Sequence, residues 1–327
     1  ADFLIGISGI SEDMSQENYS ASSGVYESRT NLDSISPVNS VSAYLHTQIS
    51  GSQFQGNTGR LFSLFNLSGG MRASSHSLSG SQFVYDVSLS IRASEESQIY
   101  VTQTTGYNNP SLYQLYAPEK YIPYDGNSGT GLTLGNKNLK PESAASFEIG
   151  YKQKQGNTFQ YAVSFFHTVT KDLIEYVFLW DKEIGIDTLG NDPMNRDDYR
   201  GDRYLNVGKQ ITSGVEIDMQ ALLSPKVIVS ANASLVSGKI EYSSSSSIVS
   251  QTNGEQVQLF SNGSFLDASV KEGSLVRRPS EANLKIIYSP VERLQLIPSL
   301  RFVTARDDIY YDGALGPYGA LAVNSVD

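Results

Sequence analysis

Apolar and polar residues alternate at every second position along several long stretches of this chain. In Phe83–Arg92, one alternate set is wholly apolar and the other is mostly polar: Phe83, Tyr85, Val87, Leu89 and Ile91 against Asp86, Ser88, Ser90 and Arg92. Because successive side chains of a strand point to opposite faces, this period predicts strands with one apolar and one polar face. The same alternation recurs near residues 159–165, 214–221 and 281–288.

The predicted strands are long. The alternation places eleven of them near residues 1–9, 39–50, 60–73, 82–92, 97–107, 143–154, 158–180, 203–222, 226–241, 277–288 and 293–306. Strands of soluble proteins typically have about 5–6 residues. A membrane-spanning strand needs about 9–11 residues at its tilt, so these lengths favour a transmembrane β-barrel.

The connections between the strands alternate in length. Short turns are predicted at 93–96, 156–158, 224–226 and 289–292, and long loops at 108–142, 181–202 and 242–276. Transmembrane barrels join their antiparallel strands by short turns on one side of the membrane and longer loops on the other. Residues 51–59 and 74–81 fit this rule less well, since the first is long for a turn and the second short for a loop.

The composition fits a barrel and excludes several other classes. No apolar run approaches the ~20 residues of a membrane-spanning helix, which excludes a helical membrane protein. A mean hydropathy of −0.26 is compatible with a barrel, because only every second strand residue meets lipid. The formal net charge of −10 argues against a nucleic-acid partner. The absence of cysteine removes disulfides, thiolate metal sites and cysteine nucleophiles.

Several motifs follow one another between residues 106 and 303. They are Gly106–Tyr116 with its Leu-Tyr pair, Gly135–Glu142 (GNKNLKPE), Ser146–Tyr151, Phe165–Ile174 with its Asp-Leu-Ile, Asn206 with Gly214–Glu216, and Arg277–Pro279. In order and spacing they resemble the barrel of TonB-dependent outer-membrane receptors. Lys137 stands where the family's GNPNLKPE motif commonly has proline.

The resemblance implies an all-β fold, an antiparallel transmembrane β-barrel. That family has a 22-stranded barrel filled by an N-terminal plug domain, and this chain shows about eleven strands and no plug. Residues 1–327 are therefore interpreted as a partial barrel domain without the plug and the final strands, and the last residues read as the start of another strand. The implied setting is a bacterial outer membrane, with membrane lipid as one partner and TonB, through the missing plug, as another.

Candidate ligand-binding residues come from the aromatic-rich loop and its neighbours. The hypothesis names Tyr107, Asn108, Asn109, Tyr113, Tyr116, Tyr121, Tyr124, Trp180 and Arg200. Tyrosine offers a rigid face and a hydroxyl, which suits ligand contact. The alternative is an aromatic girdle at the membrane interface with ordinary loop packing, in which Trp180 anchors the outer boundary.

A second loop is rich in acidic residues: Asp187, Asp192, Asp197, Asp198 and Asp202. Clustered carboxylates could bind Ca²⁺, which takes oxygen ligands. The spacing differs from an EF-hand, and Arg196, Arg200 and Arg203 offer competing salt bridges, so a solvated mixed-charge loop is the alternative. No other cofactor is expected.

The residues give no support to an enzyme. His46, His76 and His167 are far apart and lack partners at metal-ligand or catalytic spacing. Four ionisable residues lie on predicted polar strand faces, where they are expected to line a wet lumen or contact a plug: Glu148, Glu216, Asp218 and Arg301.

The resemblance implies active uptake of a scarce nutrient across the outer membrane, energised by TonB. Family ligands include ferric siderophores, cobalamin, haem and oligosaccharides, and the motif run favours a metal chelate such as a siderophore or cobalamin. Alternatives are an oligosaccharide importer of the same family, a passive porin or an adhesin barrel. A soluble β-sandwich binding module is an alternative outside the membrane-barrel class.

Overall fold

The computed structural model describes most of the chain. The described residues are 2–22, 25–32, 37–53, 62–117, 120–124, 127–133, 135–180, 199–243, 251–252, 254–261, 264–266, 272–274, 279–305, 308–312, 316–320 and 325–326. Twenty-two strands are assigned among them, together with a short 3₁₀ helix (Gly51–Gln53) and the α-helix α1 (Leu112–Tyr116).

Twelve strands form one antiparallel path in a continuous sheet. In spatial order they are β1 (Asp2–Glu12), β4 (Val38–Ser50), β5 (Phe65–His76), β6 (Gly80–Arg92), β7 (Ser97–Asn108), β10 (Glu142–Gln155), β11 (Phe159–Trp180), β12 (Tyr199–Ser224), β13 (Val227–Tyr242), β17 (Glu281–Val291), β19 (Ser299–Val303) and β22 (Ser325–Val326). The path follows chain order, as in an up-and-down barrel wall. Over the described residues it runs from β1 to β22 without closing into a ring.

The remaining strands lie in the connections. Three separate hairpins are formed by β2 (Gln16–Ser22) with β3 (Val25–Leu32), β8 (Lys120–Tyr124) with β9 (Asn127–Thr133), and β20 (Asp308–Asp312) with β21 (Gly316–Ala320). Four short strands attach to the main sheet: β14 (Gln256–Ser261), β15 (Ser264–Leu266), β16 (Glu272–Ser274) and β18 (Leu294–Leu296). Two of the connections predicted as long loops, 108–142 and 242–276, contain short strands of their own, β8–β9 and β14–β16.

The predicted all-β antiparallel fold is confirmed, and two strand assignments need correction. The strand predicted from residue 60 begins at Phe65: residues 60 and 61 lie outside the described residues, Phe62 is helical, and Ser63 and Leu64 form a turn. The strand predicted over 293–306 is interrupted at Pro298, which has no N–H to donate to the ladder. The strand start predicted near the last residues is confirmed as β22, which pairs with β19.

The two faces of the sheet differ as the alternation predicts. On β6, Phe83 is 61% exposed and Val87 is 45% exposed, whereas the alternate residues Asp86, Ser88 and Ser90 are half-buried or buried. The exposed apolar set continues across the register partners on neighbouring strands. We call these the apolar face and the polar face. Within the described residues, no helix combines the length and apolar character that a membrane crossing requires.

Short turns and long connections lie at opposite ends of the sheet, here called the turn end and the loop end. At the turn end, successive turns are joined by backbone hydrogen bonds. The Lys154 N–H donates to Glu96 O (2.7 Å), Leu222 N–H to Thr158 O (2.7 Å) and Ser289 N–H to Lys226 O (2.8 Å). The turn end is therefore bonded from turn to turn across β6–β7, β10–β11, β12–β13 and β17–β18. Two connections depart from this rule: residues 77–79 between β5 and β6 are short at the loop end, and residues 51–64 between β4 and β5 are long at the turn end.

The main buried apolar cluster lies at the loop end rather than inside the sheet. It consists of Leu173, Val177, Leu179, Leu205, Val207, Ile240 and Val257. These residues come from β11, β12, β13 and β14. A cluster at this position fixes how the loop-end connections pack on the wall.

Candidate functional site

The hairpin of β11 and β12 extends well beyond its neighbour β10. β10 pairs with β11 only as far as Lys171, whereas β11 and β12 remain paired to Trp180 and Tyr199. The extension starts at a bulge where Asp172 has a φ of 54° and Gly208 a φ of 152°. Asp tolerates the left-handed region better than most residues, which makes this irregular step possible.

A set of hydrogen bonds fixes the segment 136–142 against this extension; we call it the asparagine clamp. Asn206 Nδ2 donates to Asp172 O (2.7 Å) and Lys140 O (3.1 Å), and its Oδ1 accepts from Lys140 N–H (2.9 Å). Asn136 Nδ2 donates to Tyr204 O (2.9 Å). Glu142 Oε1 accepts from Ile174 N–H (2.9 Å). The GNKNLKPE motif and Asn206 thus act together in fixing the base of a long connection.

The other side of the clamp rests on α1. Ser111 and Gln114 form a reciprocal capping box at its start, which satisfies N–H groups that a five-residue helix leaves open. Gly135 N–H donates to Ala117 O (3.0 Å), and Asn136 N–H donates to Gln114 O (2.8 Å). A Cβ on Gly135 would overlap the backbone of this helix, so the close approach needs glycine.

A segment of the connection after β13 crosses the extension; we call residues 251–252 and 254–261 the strap. β14 pairs with β11 over residues 178–180, along the edge that β10 leaves free. Val257 is fully buried in the apolar cluster. Thr252 is also fully buried, and its Oγ1 donates to Glu255 O (2.9 Å). The strap is therefore held by backbone pairing and by apolar packing together.

Polar groups lie under the strap beside the apolar cluster. Tyr242 packs against that cluster, and burial together with the nearby Glu175 charge raises the pKa of Tyr242 to about 12. Arg203 Nη1 donates to Gln251 O (3.4 Å), while Arg203 Nε is buried without a hydrogen-bond partner. These groups lie beyond the end of β10, above the paired wall.

The predicted ligand residues between positions 107 and 124 belong to three elements, with Asn109 between the first two. Tyr107 and Asn108 end β7, and Asn108 Nδ2 donates to Glu142 Oε2 (3.0 Å). Among the residues that the structure describes, buried Asn109 Oδ1 has no hydrogen-bond partner. Tyr113 and Tyr116 lie on α1; Tyr113 is exposed, and Lys137 Nζ lies 5.3 Å from the centre of the Tyr116 ring. The backbones of Tyr121 and Tyr124 belong to β8, and their side chains lie outside the described set.

The other predicted residues are described only in part. The backbones of Trp180, Arg200 and Asp202 belong to the extension. Asp187, Asp192, Asp197 and Asp198 lie outside the described residues. In the part of the chain that the structure describes, no group of three or more His, Cys, Asp or Glu residues is placed to hold a metal ion. The calcium hypothesis is untested by this geometry.

One aromatic pair was missed by sequence reasoning. Tyr176 and Tyr204 are register partners on the extension, and their ring centres are 5.0 Å apart at an angle of 52°. The aromatic residues at the end of the long predicted strand 158–180 could have suggested Tyr176, but its partner depends on the two register shifts between Lys171 and Ile174. The extension therefore carries its own aromatic surface close to the asparagine clamp.

The acidic residues predicted to share the polar face do come together there. Tyr100 Oη donates to Glu148 Oε1 (2.5 Å). These two residues line a cavity of about 370 Å³ with Ser164, Glu216, Asp218, Asn232, Ser234 and Glu281. Arg301 pairs with Glu281 at 2.9 Å, at the margin of the cavity. We call this the acidic cavity.

The histidines serve local structure. His76 Nδ1 accepts from the N–H groups of Leu78 (3.3 Å) and Ser79 (3.0 Å) in the β5–β6 turn. His167 Nδ1 lies 2.8 Å from Ser213 Oγ, across the β11–β12 pair.

Comparison with known proteins gives a family for the fold. Residues 6–325 match the family described as TonB dependent receptor-like, beta-barrel. No curated protein sequence matches the chain significantly.

Solved structures with the same fold include two receptors and a transporter. A single-residue mutant of the ferric enterobactin receptor PfeA from Pseudomonas aeruginosa has a TM-score of 0.55 and 18% identity, over 88% of this chain and 36% of that one. The ferripyoverdine receptor of the Pseudomonas aeruginosa outer membrane has a TM-score of 0.58 and 14% identity, over 99% and 38%. The copper transporter OprC has a TM-score of 0.60 and 12% identity, over 99% and 44%. This chain thus spans less than half of each of them, and at these identities the likeness shows the fold alone.

Proposed function

Because this chain belongs to the TonB-dependent receptor family, we propose that it forms part of the barrel wall of an outer-membrane receptor that imports a scarce nutrient with TonB energy. The observation that carries the proposal is the two-faced sheet whose residues 6–325 match the family. An exposed apolar face over long strands suits contact with lipid, and a polar face suits an aqueous lumen. The loop end then faces outward, and the turn end faces the periplasm.

The loop end supplies the ligand contacts in this proposal. The asparagine clamp and the strap hold the bases of two long connections at defined positions on the β11–β12 extension. Binding loops on a fixed scaffold lose less conformational freedom on binding than loose ones. Tyr113, Tyr176 and Tyr204 provide aromatic surface there, beside the predicted set from Tyr107 to Tyr124.

The substrate proposed is a ferric siderophore. Two of the structures that share the fold are named for ferric enterobactin and ferripyoverdine, and aromatic rings with hydroxyl groups suit a chelate that is itself rich in oxygen and flat surface. Copper is the second candidate, because OprC shares the fold over 99% of this chain. Cobalamin and oligosaccharides complete the set to be tested.

The acidic cavity is the proposed contact for the plug. Glu148 on β10 and Glu216 and Asp218 on β12 lie on the polar face on either side of β11, and they carry negative charge into the lumen. A basic plug side chain would form charge-assisted hydrogen bonds there, which are about twice as strong as neutral ones. Calcium binding by the acidic loop of Asp187, Asp192, Asp197, Asp198 and Asp202 stays a prediction, and loss of ligand affinity on chelator treatment would test it.

Uptake by cells carrying the full-length receptor tests the proposal. Cells with and without TonB would be offered radioactive ferric enterobactin, ferripyoverdine, copper, cobalamin and an oligosaccharide. The proposal predicts that one ferric siderophore binds in both strains and accumulates only when TonB is present. Uptake without TonB would indicate a passive porin. Binding without uptake in either strain would indicate an adhesin, and capture of the oligosaccharide alone would overturn the choice of a siderophore.

A further inference from the structure

Neutral hydroxyl groups form a continuous line across the polar face. Four of them are register partners on successive strands: Thr212, Thr168, Ser146 and Thr104. Thr102, two residues before Thr104 on β7, and its register partner Ser88 continue the line closer to the turn end. We call these six residues the hydroxyl track. It starts on β12 below the strapped extension and descends to β6. Ser68, opposite Ser88, and Ser90, one pleat further along β6, continue it.

Two pairs of hydroxyls in the track are hydrogen-bonded to each other, and Thr212 Oγ1 accepts from Gln210 Nε2 (3.3 Å). Ser146 Oγ lies 2.8 Å from Thr168 Oγ1, and Ser88 Oγ lies 3.0 Å from Thr102 Oγ1. Each hydroxyl is both donor and acceptor, and its hydrogen can rotate to suit a new partner. Such neutral hydrogen bonds contribute little net free energy, so they are easily exchanged for bonds to a passing polar group.

The acidic cavity differs from the track in charge and in bonding. It lies on the turn-end side of the track, where Glu148 is the register partner of Thr102. Other charged residues also flank the track rather than interrupt it: Asp86 is opposite Thr104, and Arg92 follows Ser90 by one pleat. A charged group held by carboxylates dissociates slowly compared with one held by hydroxyls, because charge-assisted bonds are stronger.

We propose that the hydroxyl track is the sector of the wall along which the ligand passes, while the acidic cavity keeps hold of the plug. This rests on the proposed function. Neighbouring strands are about 4.8 Å apart, and same-face residues along one strand are about 7 Å apart. An oxygen-rich chelate larger than these steps can form a hydrogen bond to the next hydroxyl before it breaks the previous one. The ligand class is therefore a multidentate chelate with exposed carbonyl or hydroxyl oxygens.

Paired substitutions separate passage from binding. Ser146→Ala with Thr168→Val, and Ser88→Ala with Thr102→Val, each remove both members of a bonded pair, so neither leaves a partner without its hydrogen bond. The matched control is Thr47→Val on the apolar face, whose hydroxyl has no hydrogen-bond partner. The probe is whichever panel compound the full-length wild-type receptor transports, with uptake normalised to the number of ligand sites on the cells.

The expected result is a maximal uptake rate reduced by about fivefold in each pair, the scale of one lost neutral hydrogen bond. The dissociation constant at the cell surface should stay unchanged, and the control should transport normally. Unchanged uptake by both paired variants would overturn the proposal that the ligand passes along the hydroxyl track. A parallel loss of uptake rate and of surface affinity would also overturn it. If no panel compound is transported by the wild type, the proposed function itself fails and the track with it.

Cysteine labelling is a second test of the proposal, and its result does not depend on how well the paired variants fold. This chain has no cysteine, so single cysteines can be introduced by Ser88→Cys on the track and Ser234→Cys in the acidic cavity, with any cysteine elsewhere in the receptor replaced. Labelling by a small maleimide should accelerate at position 88 during energised transport and stay constant at position 234. Acceleration at 234 alone, or at neither position, would contradict the assignment.

Discussion

The ring of Tyr100 lies over Gly150, the residue directly opposite it on β10. A Cβ on Gly150 would overlap the Tyr100 ring, so the phenol occupies space that any other residue would fill. The same relationship joins Tyr44 to Gly6 and Phe166 to Gly214, again between register partners on the polar face. Aromatic rings of this kind cover glycine backbone in strands and fix register.

Gly150→Ala should therefore destabilise the wall. The Tyr100 ring would have to move, which breaks its hydrogen bond to Glu148 and costs about 1–3 kcal/mol of overpacking. Gly106→Ala is the matched control, because a Cβ there meets no atom within 4 Å. The measurement is the midpoint of thermal unfolding of the full-length receptor in detergent. Equal midpoints for the two variants would show that the contact between the Tyr100 ring and Gly150 does not contribute to stability.

Asn206→Asp should loosen the base of the connection between β7 and β10. The carboxylate keeps an acceptor for Lys140 N–H but faces Lys140 O and Asp172 O without a proton to donate. Leaving buried acceptors in this state costs about 1–3 kcal/mol. Limited proteolysis between residues 117 and 135 should become faster than in the wild type. Asn138→Ala serves as control, since that side chain is exposed; similar cleavage of both variants would argue against the clamp.

Val257→Asp should release the strap. It places a charge in the apolar cluster, where an unpaired carboxylate is far more costly than a cavity. Val257→Ala, which only leaves a cavity, should have a smaller effect in the same direction. Chymotrypsin cleavage at Phe260 reports release, and rates should rise in the order wild type, Ala, Asp. Resistance of the Asp variant to cleavage would show that packing of residue 257 does not hold the strap.

Strap docking should weaken at alkaline pH. The pKa of an exposed tyrosine is about 10, whereas burial and the nearby Glu175 charge raise the pKa of Tyr242 to about 12. Because the pKa of Tyr242 is higher in the folded protein than in the unfolded chain, the neutral phenol stabilises the docked strap. This stabilisation is complete below pH about 10 and is lost as the pH rises toward 12. Maleimide labelling of a Val257→Cys variant should accelerate across that interval, and adding Tyr242→Phe should flatten the rise. An equal rise with Phe at 242 would assign the effect to another group.

The strands and their two faces were predictable from the sequence, because side-chain period and burial are local properties of a strand. The alternation from Phe83 to Ile91 appears directly as the exposed face of β6. Strand ends were less predictable: Phe62 and Leu64 continue the apolar sequence into a turn, and the interruption at Pro298 depends on one missing N–H.

The loop-end contacts could not be predicted in the same way, since they join residues far apart in the chain. Asn206 reaches Lys140 across 66 positions, and Val257 meets Leu179 only because β14 pairs along an edge that β10 leaves open. The motif residues Asn136 and Asn206 were recognised, but nothing local shows that they bond to backbone rather than to ligand. The ligand set of Tyr107, Asn108 and Asn109 accordingly remains a prediction beside the structural role found for Asn108.

Spin-label accessibility along β6 of the full-length receptor in lipid bilayers would show directly whether the apolar face meets lipid. Single labels at positions 83 to 91 would be measured against oxygen, which partitions into lipid, and a polar nickel reagent, which stays in water. We expect oxygen maxima at 83, 85, 87, 89 and 91 and nickel maxima at 84, 86, 88 and 90, in strict alternation. Uniform nickel accessibility at all nine positions, or alternation of the opposite phase, would contradict a barrel wall with its apolar face in the membrane and its polar face in the lumen.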